Sequence, residues 1–499
     1  MHIAATSDLI ITTTFCFYLL AMVAIGIIAY RKTRNLSDYI LAGRRLGPLV
    51  TALSAGASDM SGWLLLGLPG YAYAAGYEAI WIAIGLLVGT YINWRLVAER
   101  LRRYSHAAGD AQTLSDFFEQ RFNDRSHLLR LLSGIFILIF FTFYTSSGLV
   151  AGGKLFNAVF GWPYTAAVLA GALTIISYTF LGGFFAVSWT DAVQATLMFA
   201  ALVAVPMAAI SKSGGWDAVV AGTHAVNPAL QDLFTDVTGN TLSLVAILSL
   251  LGWGLGYFGQ PHILARFMAI NHPSRLPKAR RIAMTWVTIS LIGALLVGFT
   301  GIVAYPGRLT GAETEKIFIH LVGLLFHPLL AGVWLAAILA AIMSTADSQL
   351  LVASAAFTHD LYQIVFRKQA EPQELLWVGR LGVLGIAAVA FVLALNPDSK
   401  VLDLVAYAWA GFGAAFGPSL ILALFWRRMT RSGAAAGILT GGLTVILWKQ
   451  LHGGIFDMYE IIPGFIFSSL AIVAASLASA EPPSDILSLF DLDHVSQDR

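Results

Sequence analysis

Apolar residues in this chain come in blocks of about 20, and that length constrains the fold more than any single motif. A helix rises about 1.5 Å per residue, so a block of roughly 20 crosses the ~30 Å hydrocarbon core of a bilayer. Thirteen such blocks can be read, at 9–29, 46–68, 78–98, 129–150, 164–182, 191–211, 241–262, 283–304, 325–352, 377–395, 401–425, 432–450 and 460–480. The runs are continuous rather than alternating, which excludes a strand barrel. Charged residues are 12% of the chain and hydrophobic ones 58%, whereas soluble domains carry about a quarter charged. The expected fold class is an all-α polytopic membrane protein with about 13 transmembrane helices. Net charge is only +2, which gives no reason to expect a nucleic-acid partner. The lone cysteine, Cys16, excludes an intrachain disulfide framework and a multi-cysteine metal site. The first block is too long for a secretory h-region, lacks a basic lead and is followed by Arg31 and Lys32. It reads as an uncleaved span.

Loop charges orient these spans. With thirteen spans, 24 of the 30 Lys and Arg residues fall on one side, among them Arg44, Arg45, Arg121, Arg266 and Arg499. The other side holds Lys154, Lys212, Arg308, Lys316, Lys400 and Lys449. The positive-inside rule assigns the basic side to the cytoplasm. That puts the N-terminus outside and the C-terminus in the cytoplasm. The last 19 or so residues read as a polar, acidic tail, too short for an output domain.

Three blocks break the rules for a helix in lipid. The second carries Ser54, Gly56, Ser58, Asp59, Ser61, Gly62 and Trp63 in close succession. A charge at mid-span costs at least about 2.5–3.5 kcal/mol on insertion scales, and unwound backbone survives there only where it lines a cavity. Tight packing by small residues accounts for Gly56 and Gly62, but not for Asp59. The seventh block holds Gly252, Trp253, Gly254, Gly256, Tyr257, Phe258, Gly259 and Pro261. Its G-x-G-x-x-G spacing is a decoy, because no strand precedes it and no βαβ unit surrounds it. Aromatic packing against glycines would explain the composition blandly; an unwound helix with solute-facing aromatics explains it better. The ninth block sets Ser344 beside Thr345, with Asp347 and Ser348 following. A hydroxyl in a span commonly bonds back to its own helix. A Ser-Thr pair next to a second intramembrane carboxylate points instead to ion ligands.

The first broken block opens a set of five spans and the second opens another. Gly-interrupted segments at corresponding places in two halves are the sequence pointer to an inverted-repeat transporter. The expected organisation is 1–45 for an N-terminal helix and loop, 46–211 and 241–425 for two five-helix repeats, 426–480 for two further helices, and 481–499 for a short tail.

The stretches 38–44, 51–70, 181–191, 252–268, 340–345 and 407–418 carry a specific resemblance. The last contains Tyr407-Ala408-Trp409-Ala410-Gly411-Phe412-Gly413. Through them the chain resembles the sodium/solute symporter family from about 38 to 467. The resemblance implies a leucine-transporter-like core of ten helices in a 5+5 inverted repeat. It implies no enzyme, but inward symport of L-proline with co-transported sodium and no organic cofactor. It implies a sodium site from the carbonyls of Ala57, Met60 and Ala341 and the hydroxyls of Ser344 and Thr345. Asp59 and Asp191 are implied in sodium coupling. Ser61, Trp63, Tyr144, Trp253, Tyr257 and Pro261 are implied in substrate binding, and Arg44 in a gate. Ala346, Asp347 and Ser348 depart from the family pattern, and the extra carboxylate of Asp347 bears on ion number or selectivity.

Other readings remain open at this point. Another small amino acid or carboxylate, such as pantothenate, would suit the same scaffold, although Tyr144, Trp253 and Tyr257 favour a compact apolar ring. A sensor that binds a solute without moving it is a different class of function, as are a channel and a membrane enzyme. Uphill flux driven by a sodium gradient separates them all.

Overall fold

The computed structural model describes residues 2–30, 41–179, 183–305 and 309–495. Within them the chain is helical, with two isolated β-bridges and no strand. The main helices are α1 His2–Tyr30, α2 Pro48–Asp59, α3 Leu68–Ala75, α4 Ile80–Ile92, α5 Leu128–Phe160, α6 Tyr164–Thr179, α7 Phe184–Lys212, α8 Leu244–Leu251 and α9 Pro261–Ala269. They continue with α10 Leu276–Ala304, α11 Pro328–Ala355, α12 Pro372–Leu393, α13 Val401–Phe425, α14 Arg431–Trp448, α15 Ile461–Ala478 and α16 Ser484–Val495. Arg31, Lys32, Arg34, Arg308, Arg499 and the motif residues Asp38, Tyr39, Ile40, Leu181 and Gly182 lie outside the described residues.

Each of the thirteen expected blocks falls on helix, but the limits differ. Helix α5 runs to Phe160, and α11 continues as a π-helical stretch to Phe366. Among the described residues, nine helical runs are long and apolar enough to cross a membrane, or ten if one bent pair counts as a span. The second half of the second block joins the third block in one run, Trp63–Ala107, while the helices at Tyr164–Thr179 and Arg431–Trp448 are not among the nine.

Both anticipated breaks are present. At the end of α2, Met60 leaves helical geometry (φ −88°, ψ 81°), and a π-helical turn, Trp63–Gly67, restarts the path into α3. Beyond α8 the chain tightens into a 3-10 stretch, Gly252–Gly259, then extends at Gln260 before Pro261 opens α9. Leu244–Gly259 and Pro261–Ala269 meet at 47°. Helix α2 packs on α7, α9, α10 and α11, while the 3-10 stretch packs between α4 and α13. The two breaks thus face each other at the centre of the bundle.

Close approach explains the glycines of the decoy motif. A Cβ on Gly254 would lie 2.2 Å from the Gly85 carbonyl oxygen of α4, and one on Gly256 would lie 1.8 Å from Trp409 Nε1 of α13. The Trp409 indole in turn donates to the Trp253 carbonyl at 2.7 Å. Gly256→Ala should therefore push Trp409 off this bond and cost about 1–3 kcal/mol, the usual range for overpacking. Thermal unfolding of the purified protein in detergent measures it. An unchanged midpoint would mean that the two helices are free to part.

Candidate functional site

The first feature is a convergence of neutral oxygens where α2 meets α11. The Ser344 hydroxyl lies 2.8 Å from the Ala57 carbonyl oxygen and 3.2 Å from that of Ala341. Thr345 Oγ1 lies 3.2 Å from the same Ala57 oxygen. Ala57 precedes the break by three residues, at the C-terminal end of a half-helix where carbonyls run out of intrahelical partners. Met60 is buried at the break itself, its N–H bonded to the Gly56 carbonyl at 2.9 Å. So Ala57, Ala341, Ser344 and Thr345 come together, with Met60 three residues beyond Ala57. Ser348 does what the bland reading expects and donates to the Ser344 carbonyl at 2.9 Å.

The second feature lies on the other side of the break. The Asp59 carbonyl accepts from the Tyr144 hydroxyl at 3.0 Å and from Trp63 Nε1 at 3.2 Å. The Asp59 carboxylate reaches the second broken segment, where the Tyr257 hydroxyl donates to Oδ2 at 2.8 Å. Trp63 and Trp253 stack obliquely with ring centres 6.3 Å apart. Ser61 and Pro261 are buried at the two breaks. The substrate residues expected from the sequence are thus drawn from two breaks and from α5, with Asp59 tying all three. Beyond Trp253 lies a cavity of about 330 Å3, lined in part by Gly70, Tyr71, Trp253, Lys400, Asp403 and Tyr459.

The third feature is a buried ion pair. Arg266 of α9 donates to Asp191 of α7 at 3.1 Å, with both side chains fully buried. Arg266 also reaches the Ser54 hydroxyl at 3.1 Å and the Ser348 hydroxyl at 2.5 Å, and Ser54 donates to Asp191 at 2.7 Å. Asp191 is therefore joined to the oxygen cluster through Ser348 and Ser344. Asp347 is buried one residue before Ser348.

The two ends of the bundle are tied separately. At the basic end, Arg44 donates to Asp110 at 2.8 Å, to Ser105 at 3.2 Å, to the Met268 carbonyl at 2.7 Å and to the Ala111 carbonyl at 2.8 Å. It thereby fastens the lead into α2 to the end of α9, away from the aromatic cluster. Burial pulls the Arg44 guanidinium below its ordinary value, against the pull of Asp110. Burial would raise the Asp110 carboxyl, but its bonds with His106 and Arg44 outweigh this and hold it below its usual value. At the opposite end, Lys154 of α5 pairs with Glu315. Glu315 also accepts the first backbone N–H groups of α13, from Val401 at 2.9 Å and Leu402 at 3.0 Å.

Several of these residues escape sequence reasoning. Arg266, Arg121 and Lys154 were counted with the loop charges; all three are buried. For Arg266 the usable signal was its position five residues past Pro261, still on the helix that follows a break. The tail does not hang free: Phe490 of α16 is buried under the Arg121 guanidinium, and Arg427 holds Asp491 with two bonds. Nothing in the sequence marks Glu315, whose partners come from distant segments. His262, fully buried with neither ring nitrogen bonded among the described residues, was also missed.

Residues 39–441 match the model of the sodium:solute symporter family. The chain belongs to that family. It is 54% identical over 474 residues to a sodium/proline symporter of Salmonella typhimurium strain LT2, covering 94% of this chain and 93% of that one. It is 50% identical over 472 residues to the high-affinity proline transporter PutP of Bacillus subtilis strain 168, covering 94% and 98%. Among solved structures, a substrate-bound, outward-open sodium-coupled sialic acid symporter superposes with a TM-score of 0.76 at 18% identity, over 95% of this chain and 99% of that one. The fold is thus the leucine-transporter-like one, and family and fold are those of sodium-coupled transporters in a multi-pass helical membrane protein.

Removing one member of the buried pair leaves the other charged and unmatched, which typically costs about 3–5 kcal/mol. Arg266→Gln and Asp191→Asn should each lower the unfolding midpoint in detergent, and the double variant should fall less than the sum of the two. Additive losses would show that the two side chains do not interact.

Proposed function

We propose that this chain is a secondary active transporter that carries L-proline inward with sodium by alternating access. It works in the bacterial inner membrane with its N-terminus periplasmic and its C-terminus cytoplasmic. The observation that carries the reading is the α2 break, which has neutral oxygens of α2 and α11 on one side and the aromatic cluster on the other. Half-helix ends with free carbonyls are where transporters of this architecture hold a small cation. A set of carbonyls and hydroxyls suits a hard, singly charged ion, and the relatives are named for proline and sodium. The reading extends to the residues: Ala57, Met60, Ala341, Ser344 and Thr345 for sodium, and Ser61, Trp63, Tyr144, Trp253, Tyr257 and Pro261 for proline. Asp191 with Arg266 answers to sodium through Ser348, and Arg44 is the cytoplasmic gate. The repeats 46–211 and 241–425 rock about the central site. A compact pocket of four aromatic rings favours a small ring over an extended chain such as pantothenate.

Sodium at the α2–α11 junction orders the break and sets Trp63 and Ser61 for the solute. Proline then draws the 252–259 stretch over itself, and the site reopens at the Arg44 end. A proline zwitterion has no net charge, so each sodium makes the cycle electrogenic. A charge falling through about 100 mV gains about 2.3 kcal/mol, enough for a roughly fiftyfold solute gradient. Radiolabelled proline uptake into proteoliposomes under an imposed sodium gradient tests the whole reading. A sensor or enzyme gives no flux, and a channel gives no accumulation above equilibrium.

Ser344→Ala and Thr345→Ala should each raise the sodium concentration for half-maximal uptake, as a lost buried ligand is worth about 1–3 kcal/mol. If both variants keep the parent sodium response, the hydroxyls serve only their own helix. Binding should also be reciprocal: sodium tightens proline by the factor with which proline tightens sodium. Titrating each ligand at fixed levels of the other measures it, and proline affinity indifferent to sodium would rule out the ordering step.

A further inference from the structure

We infer that the Asp59 carboxylate is the counter-ion for the ammonium group of the transported imino acid, rather than a ligand of the sodium ion. The inference rests on the proline reading above and deepens it. A zwitterion drawn into a buried pocket brings a positive charge that is costly to bury unless it is paired and hydrogen-bonded. The proline nitrogen carries two N–H donors on that charge. The pocket must supply acceptors, at least one of them anionic.

Asp59 meets that need by geometry. Its side chain is buried, Oδ2 takes the Tyr257 hydroxyl, and Oδ1 has no hydrogen-bond partner among the described residues. The large majority of buried side-chain polar atoms in native structures have a partner, and an orphan acceptor calls for an explanation. The other buried carboxylates with placed partners are paired elsewhere: Asp191 with Arg266 and Ser54, Glu315 with Lys154, Asp360 with Arg130, Asp124 with Arg431, and Glu460 with Lys449. None of those five has a placed bond to the aromatic cluster. Asp59 is bonded to it, through Tyr257 at the carboxylate and through Tyr144 and Trp63 at the carbonyl.

The same geometry turns the carboxylate away from the sodium oxygens. Ser344 and Thr345 converge on the Ala57 carbonyl, on the α11 side of α2, whereas the Asp59 side chain reaches the 252–259 stretch. Sodium is thus met by neutral oxygens and the ammonium by an anion. The substrate carboxylate falls to Ser61 and the start of the helical run at Trp63, whose positive end suits it. Coupling then has a short path. Ala57 and Asp59 share one half-helix end, so an ion that fixes the carbonyls also fixes the carboxylate.

The probe is cyclopentanecarboxylate, which keeps the ring and the carboxylate of proline but replaces the ammonium with a methylene. Wild-type protein in saturating sodium should prefer proline by roughly 10- to 100-fold, the range for a buried charge-assisted bond. Asp59→Asn should bring proline down to within about threefold of the analogue and leave the analogue's own affinity nearly unchanged. Sodium-22 binding measured without proline should persist in Asp59→Asn and weaken in Ser344→Ala. Equal affinity of wild type for proline and the analogue would overturn the inference, whether or not any variant folds. So would an Asp59→Asn protein that keeps the full preference or loses sodium binding in the absence of proline. Failure of the wild type to bind proline at all would instead count against the transport reading.

Discussion

Backbone N–H and C=O groups inside a bilayer have no water to turn to, and an unsatisfied one costs several kcal/mol. The knot at Asp59 is how this chain tolerates an interrupted helix at the centre of the bundle. Where α2 stops, the freed carbonyls of Ala57 and Asp59 are taken up by hydroxyls and an indole from elsewhere: Ser344 and Thr345 on one side, Tyr144 and Trp63 on the other. The carboxylate adds Tyr257 from the second break. Removing these partners would leave the break untenable, and with it the angle at which α3 departs and the position of the 252–259 stretch. The rest of the bundle is arranged to bring those partners in, α5 with Tyr144, α11 with its adjacent hydroxyls, and α13 with the Trp409 indole that caps Trp253.

Because the partners at the break are mostly hydroxyls, the arrangement can exchange. A Ser344 hydroxyl that donates to the Ala57 carbonyl can turn its oxygen toward a cation, and the same carbonyl can serve that cation, with no change in fold. This makes the break responsive: the atoms that satisfy the helix end are those an ion would use. The buried Arg266–Asp191 pair behaves differently. Its charges are matched inside the protein and locked by Ser54 and Ser348, so it holds α7, α9 and α11 in register near the ion cluster. Asp191 therefore reaches the α2–α11 oxygen cluster through a hydrogen-bond chain and not by direct approach.

Much of this was legible in the sequence, for a definite reason. Gly, Ser and Asp inside a span violate the local rules of lipid, and a violation of that kind marks a break wherever it sits. Hence both interrupted helices, Asp59, the Ser344–Thr345 pair and the aromatic set could be placed by spacing and resemblance. What stayed hidden depends on partners far apart in the chain. Arg266 read as a loop charge because a positive residue near the end of a span normally snorkels to the interface. Only the fold shows that α9 turns inward and meets Asp191, 75 residues away in sequence. Lys154 and Glu315 are hidden likewise, since each alone looks like an exposed end-of-helix charge. A helix runs past its expected block where it continues as a π-helical stretch, as beyond Ala355, because hydropathy does not register a change of winding.

The separation of cation and carboxylate also bears on how tightly the two ligands depend on each other. If sodium touched Asp59 directly, the ion and the ammonium group would compete for one anion, and each would weaken the other by charge repulsion. On the reading inferred above, with neutral oxygens for sodium and the carboxylate set across the break, the two positive charges would be held apart by the half-helix end that both require. The ion then helps the solute by removing conformational freedom from that end, and the solute returns the help by the same amount. Such coupling needs a segment outside regular helix that either ligand can order, and the break at Met60 is the place for it. A continuous helix would hold both groups rigidly, with nothing for one ligand to order on behalf of the other.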